Sequence, residues 1–252
     1  MAKTIPTGLR GIYIWRLEKC DNGDLDKIIA KCQAANIQWI ALKYADGGYT
    51  WERQFSLKNV QKLQAAGIRV SGWAYDYPKQ SNFQKQVDAI KFAIDQGPSD
   101  IILDLEQEWC MDGSDSAASK YIQMIKQIMP DNVCLAHAPF DTISGHQNFP
   151  YTMLGKAVDW VSPQAYWKTH GLSVESSTNR YLQQWQKFEQ HQPSAAKPRL
   201  AGGSSYGGAT AQECLKFEAM IKDGGDVGCL YWEYSQTPQS IFDGLAGKPF
   251  GG

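Results

Sequence analysis

Eight apolar runs of strand length recur along the chain, and most are separated by stretches of helical periodicity. The runs are Gly11–Leu17, Ile37–Tyr44, Ile68–Tyr75, Asp100–Glu106, Asn132–Ala138, Asp159–Trp167, Arg199–Tyr206 and Val227–Tyr234. Helical patterns cover Asp24–Ala35, Leu57–Ala66, Phe83–Gln96, Ser116–Met129, Tyr181–His191 and Ala211–Lys222, with a short one near Tyr151–Lys156. Several stop at Gly67, at Gly97-Pro98, at Pro130 or at Gly224-Gly225, as helix ends do. Strands alternating with helices call for a parallel sheet. Eight such units in 252 residues match an α/β fold of the single (β/α)8 TIM-barrel type. An open doubly wound sheet is the alternative. It usually carries a glycine-rich phosphate turn after its first strand, and WRLEKCDNGD does not match that pattern.

No linker or low-complexity tract divides the sequence, so residues 1–252 are read as one domain with a frayed GKPFGG tail. Lysine and arginine number 25 against 26 acids, and the formal net charge is -1. No basic excess is available to neutralise a phosphate backbone, which argues against nucleic acid as a partner. No apolar run is long enough for a membrane span. The N-terminal MAKTIPTGLRG lacks the apolar segment of a secretory signal. The expectation is synthesis in the cytoplasm, with any action on a cell wall following release by other means. The six cysteines are dispersed and form no CxxC pair, so they read as buried thiols, and no metal or other cofactor is expected.

In a barrel of this kind the chemistry sits at the C-terminal strand ends. The fourth run, DIILDLE, carries the sharpest signal there. Residues two apart on a strand face the same side, so Asp104 and Glu106 point together and Leu103 and Leu105 point the other way. With the leucines against the helices, both acids face the barrel axis. Two carboxyls sharing a partly desolvated mouth cannot both ionise freely, which suits one of them to general acid work. Glycosidic cleavage needs such a pair. A DxE triplet alone is common and equally fits acids bonded to lysines or amides.

The other strand ends are rich in aromatics: Tyr13 and Trp15, Trp73 and Tyr75, Trp109, Tyr166 and Trp232. Rings with a polar handle suit stacking on sugars, although single rim aromatics more often pack loops. Asp76, His137, Gln164 and Glu233 complete the candidate substrate-binding set with Trp15, Trp73, Tyr75, Trp109, Tyr166 and Trp232. A strand histidine such as His137 is more often packed than catalytic. Ser204-Ser205 lacks a nucleophile-elbow pattern. Asp76, Asp104, Glu106 and His137 suit a metal only if they converge. A Schiff base at Lys43 would point instead to an aldolase.

The GWAYDYP segment followed by a helix and ILDLE resembles the third and fourth strands of the family 25 lysozymes. QAYW and LYWEY are similar to strand ends of family 18 chitinases. These resemblances imply a glycosidase acting on an N-acetylated polysaccharide, peptidoglycan before chitin, as a lysozyme or phage lysin does. By the DxE match they imply Glu106 as proton donor and Asp104 as the assisting carboxylate. The sequence departs from both patterns. Tyr13 stands where family 25 carries an aspartate, Glu233 is the acid offered at the eighth run, and SDIILDLE lacks the full DxxDxDxE signature. A non-catalytic carbohydrate-binding barrel in a surface or phage assembly is therefore the rival reading.

Overall fold

The computed structural model describes residues 3–252; Met1 and Ala2, the start of the N-terminal segment read above, lie outside them. The strands are β1 (Arg10–Ile14), β2 (Trp39–Asp46), β3 (Tyr49–Thr50), β4 (Arg69–Tyr75), β5 (Asp100–Asp104), β6 (Cys134–His137), β7 (Trp160–Val161), β8 (Leu200–Ser204) and β9 (Gly228–Trp232). The helices are α1 (Leu25–Ala34), α2 (Leu57–Ala65), α3 (Phe83–Asp95), α4 (Ser114–Lys126), α5 (Tyr151–Ala157), α6 (Val174–His191), α7 (Ala211–Asp223) and α8 (Gln239–Leu245). All strands but β3 pair in parallel, in the order β7-β6-β5-β4-β2-β1-β9-β8. Bridges between Val161 and Arg199 and between Gln164 and Gly202 join β7 to β8 and bring the ring to near closure. The fold is the (β/α)8 barrel, and β3 is a short antiparallel addition to β2 that the hydrophobic pattern does not reveal.

Helix starts follow capping chemistry. Asp24 accepts from the amides of Asp26 and Lys27 at the head of α1, and Ser56 accepts from Asn59 at α2. Thr210 and Glu213 form a reciprocal capping box on α7. Ser173 caps α6 by accepting from Ser176, so this helix starts well before the expected Tyr181. The polar VESSTN stretch hides that start because Val174 is the one apolar residue on its buried face, beside the small polar Ser177 and Thr178. The sixth strand is shorter than expected. Pro163 has no amide to donate, and beyond Val161 only the isolated bridges at Gln164 continue the pairing.

Two apolar clusters flank the sheet. Ile12, Ile14, Ile40, Leu42, Val70, Ile101, Leu103 and Leu105 point outward under the helices. Each such fully buried side chain contributes about 1.5–3 kcal/mol. Inside the ring lie Tyr13, Trp39, Trp73, Ile102, Ala136, Trp160, Leu200 and Leu230. The lower end is stitched by Asp100, which accepts from Arg69, Ser71 and the Trp160 indole, while Ser71 accepts from the Trp39 indole. Gly11 is required at this level. A Cβ there would sit 2.5 Å from Leu230 and 2.7 Å from the Trp39 ring. The tail is docked, contrary to the expected fraying. Arg10 donates to the carbonyl of Lys248, and Gly251 donates to Glu218.

Candidate functional site

Strand parity sets the site. Along β5, Asp100, Ile102 and Asp104 turn into the ring and Ile101 and Leu103 turn out. The chain leaves the strand after Asp104, with Leu105 still buried outward. Asp104 and Glu106 both reach a cavity of about 290 Å³ at the C-terminal end of the ring. Its walls also include Tyr13, Gln164, Tyr166, Tyr206 and Trp232.

One amide links the two acids. Gln164 Nε2 donates to Asp104 Oδ1 at 3.1 Å and to Glu106 Oε1 at 3.2 Å, with the Ala138 carbonyl also in reach at 3.1 Å. Burial is the largest influence on both carboxyls and raises both above the ordinary range. For Asp104 the charge of Glu106 adds to the rise, and the Lys43 ammonium opposes it. For Glu106 the Gln164 bond opposes burial, and Glu108 reinforces it. The rise is strong at Asp104, the more deeply buried of the two, so they titrate as a pair rather than as a lone raised Glu106. Such a pair retains a proton at a pH where free carboxylates are bare, and it can donate to a leaving group while keeping one negative charge.

The aromatic walls interlock. Tyr13 meets Trp73 edge to face at 5.6 Å and Trp232 at 5.4 Å, and Trp232 lies 6.4 Å from Tyr166. Tyr166 in turn contacts Tyr206 at 6.4 Å. Glycine at residue 202 gives Tyr166 room: a Cβ there would lie 3.0 Å from its ring. Thr169 and Tyr206 hydrogen-bond to each other across the rim.

Of the residues expected from sequence, Asp104, Glu106, Gln164, Tyr166 and Trp232 meet at this cavity. Trp73 is buried beneath it, donating to the Ile14 carbonyl at 3.2 Å. Tyr75 lies beside it, its hydroxyl donating to Glu108 at 2.6 Å. Trp15 adjoins Trp232 at 6.4 Å and is 38% exposed.

Four others lie elsewhere, which corrects the expectation of a shared cleft. Trp109 is fully buried among Phe83 and Tyr121 under the helices, and its indole donates to the Asp76 carbonyl. His137 faces outward against Phe149, and burial lowers its pKa to about 3, so it is neutral. Asp76 is buried beside Tyr44 and Tyr121, where loss of solvation raises its carboxyl well above the ordinary range. Glu233 turns from the cavity and accepts from Trp15 N at 3.4 Å and from the Ser235 hydroxyl. The four residues considered for a metal therefore do not converge. Lys43 is ion-paired to Asp46 at 2.7 Å and sits 4.7 Å from the Trp73 ring, an environment that occupies its ammonium.

Ala138 and Thr169 line the cavity without having been expected there, and the strand-end tyrosines Tyr13 and Tyr206, outside the candidate binding set, line it too. Tyr13 was legible: it shares the parity of Gly11 and Trp15. The six cysteines are free thiols, and all but Cys110 are buried.

No family model matches the chain, and no curated protein matches it. Solved structures match its fold at low identity. A chitinase from Bacteroides thetaiotaomicron aligns with a TM-score of 0.70 at 10% identity, covering 94% of this chain and 96% of that one. The Bacillus cereus spore cortex-lytic enzyme SleL aligns with a TM-score of 0.69 at 13% identity, over 96% of this chain and 74% of that one. An endo-1,4-beta-D-mannanase from Thermotoga petrophila RKU-1 gives a TM-score of 0.66 at 12% identity, over 89% and 88%.

Proposed function

We propose that the protein is a glycoside hydrolase acting on an N-acetylated polysaccharide, with peptidoglycan as the substrate. The observation that carries this reading is the pair Asp104 and Glu106, joined through Gln164 at the base of an aromatic cavity. The fold shared with a chitinase, a mannanase and a spore cortex-lytic enzyme supports it. Peptidoglycan is preferred to chitin because the GWAYDYP and ILDLE segments resemble the lysozyme arrangement and SDIILDLE departs from the chitinase signature.

Glu106 is the better placed proton donor of the pair, because it lies nearer solvent than Asp104 and is less deeply buried. Its proton goes to the glycosidic oxygen as the bond to the anomeric carbon breaks. General acid transfer of this kind is worth about 10²–10⁴-fold. Asp104, kept close by the shared amide, stabilises the positive charge that develops on the sugar or orients its acetamido group, in a retaining reaction. Trp232 floors the ring, and Tyr166 and Gln164 hydrogen-bond it.

The test is turbidity loss of purified cell walls with wild type beside Glu106→Gln. The expected outcome is clearing by wild type, none by the variant, and retained binding of wall fragments by both. Equal clearing by the variant would remove Glu106 from its role. A second reading, a non-catalytic sugar-binding barrel, draws on Tyr13, which lines the cavity where the lysozymes carry an aspartate. Wild type that binds walls and never clears them would establish it.

A further inference from the structure

Beside the cavity, on the β1–β2 side, lies a larger and shallower groove of about 540 Å³, lined by Arg16, Thr50, Trp51 and Glu52 among others. Between it and the cavity runs a row of indoles. Trp232 lines the cavity, Trp15 lies 6.4 Å from it at an interplanar angle of 35°, and Arg16 spans from the Trp15 ring (5.5 Å) to the Trp51 ring (6.0 Å).

The groove is built rather than incidental. Gln54 ties its two banks together, donating to the carbonyls of Trp15 and Lys43 and accepting from Leu17 N. Trp51 is pinned by its amide to the Tyr44 carbonyl at 2.7 Å, at the end of the β3 hairpin. The Lys43 ammonium lies 5.5 Å from Trp15 and 4.9 Å from Trp51, holding both rings by cation–π contact from below. Rigid aromatic faces of this kind bind without a large ordering cost.

The opposite rim differs. In the ring order β7 lies diametrically across from β2, and Thr169, which follows β7, closes the cavity by hydrogen-bonding to Tyr206, which follows the neighbouring β8. A chain with its reacting sugar at Glu106 therefore has an open run on the Trp15 side and a wall on the other. The charges around the groove balance, Arg16 and Arg53 against Glu18 and Glu52, which suits an uncharged sugar backbone better than a polyanion.

We propose that this groove is an accessory glycan-binding strip, in which Trp15 and Trp51 stack on sugars of the same chain beyond the one held at Glu106. The proposal rests on the glycosidase reading and adds a dependence on chain length. Peptide-free glycan strands of one, two and three disaccharides separate the two. Wild type should gain about tenfold in kcat/KM from the shortest strand to the longest, the effect of one or two well-packed aromatic contacts. Trp51→Ala should flatten that rise and leave hydrolysis of the single disaccharide unchanged. Arg16→Ala, a truncation of an exposed side chain that does not threaten folding, should flatten it in part. Cleavage of the single disaccharide with no gain for longer strands in wild type, or a gain that survives both substitutions, would overturn the strip and leave the glycosidase reading standing. Neither cleavage nor binding of any strand would overturn the glycosidase reading, and the strip with it.

Discussion

Gln164→Leu isolates the element that joins the two acids of the proposed catalytic pair. The substitution keeps the approximate volume and removes the Nε2 group that lies 3.1 Å from Asp104, 3.2 Å from Glu106 and 3.1 Å from the Ala138 carbonyl. Its two hydrogens can satisfy two of those acceptors well at once, and a hydrogen bond to a charged group contributes about 1.5–3 kcal/mol. The loss of one such bond and part of a second is about 2–4 kcal/mol, or about 30- to 1000-fold in kcat if it is felt in the transition state. The pH dependence has a definite sign. The amide favours the ionised form of Glu106, so without it the Glu106 pKa rises further, and the alkaline limb of the kcat/KM profile, where the donor loses its proton, moves to higher pH. Folding stability follows the same linkage. Folded-state carboxyl pKa values already stand above their unfolded values, so stability declines as pH rises from the unfolded value through the folded ones. That decline should extend to higher pH in the variant and vanish at a pH where both acids are protonated. The assays are steady-state cleavage of solubilised wall glycan from pH 4 to 9 and thermal melts across the same range. An unchanged alkaline limb together with wild-type kcat/KM would refute the reasoning.

Two further substitutions test the surroundings. Asp104→Asn removes the more strongly raised acid, so it should abolish most activity while raising Tm by about 2–4 °C at pH 8 and not at pH 4, because only above the unfolded pKa does the buried charge cost stability. A variant whose Tm advantage is absent at pH 8 would show that Asp104 is not held up by burial. Gly11→Ala forces a methyl to 2.5 Å from Leu230 inside the ring, an overpacking cost of about 1–3 kcal/mol, and denaturant melts should show it as a lower midpoint with an unchanged slope. An unshifted midpoint would mean that the interior layer gives way more easily than its packing implies.

The barrel and its acid pair were legible from periodicity. Strand-length runs alternating with helical ones prescribe parallel pairing, and the two-residue repeat of ILDLE puts Leu103 and Leu105 on one face and Asp104 on the other whatever the neighbours are. The same rule, carried through, would have turned Asp76 away from Tyr75 and Glu233 away from Trp232, and both do face away from the cavity. What the parity rule could not decide is which face of β6 is the inner one. A parallel strand is buried on both sides, so Cys134, Leu135, Ala136 and His137 carry no contrast, and only pairing with β5 and β7 turns Ala136 inward and His137 toward Phe149. Trp109 escapes the rule because the chain leaves the strand after Asp104 and enters a 3₁₀ turn before reaching it. The meeting of Gln164 with Asp104 and Glu106, and the row from Trp232 through Trp15 to Trp51, join residues far apart in the chain. Where the two faces of a strand differ, local sequence sets the direction in which each side chain points; only closure of the ring sets which of them come within reach of one another.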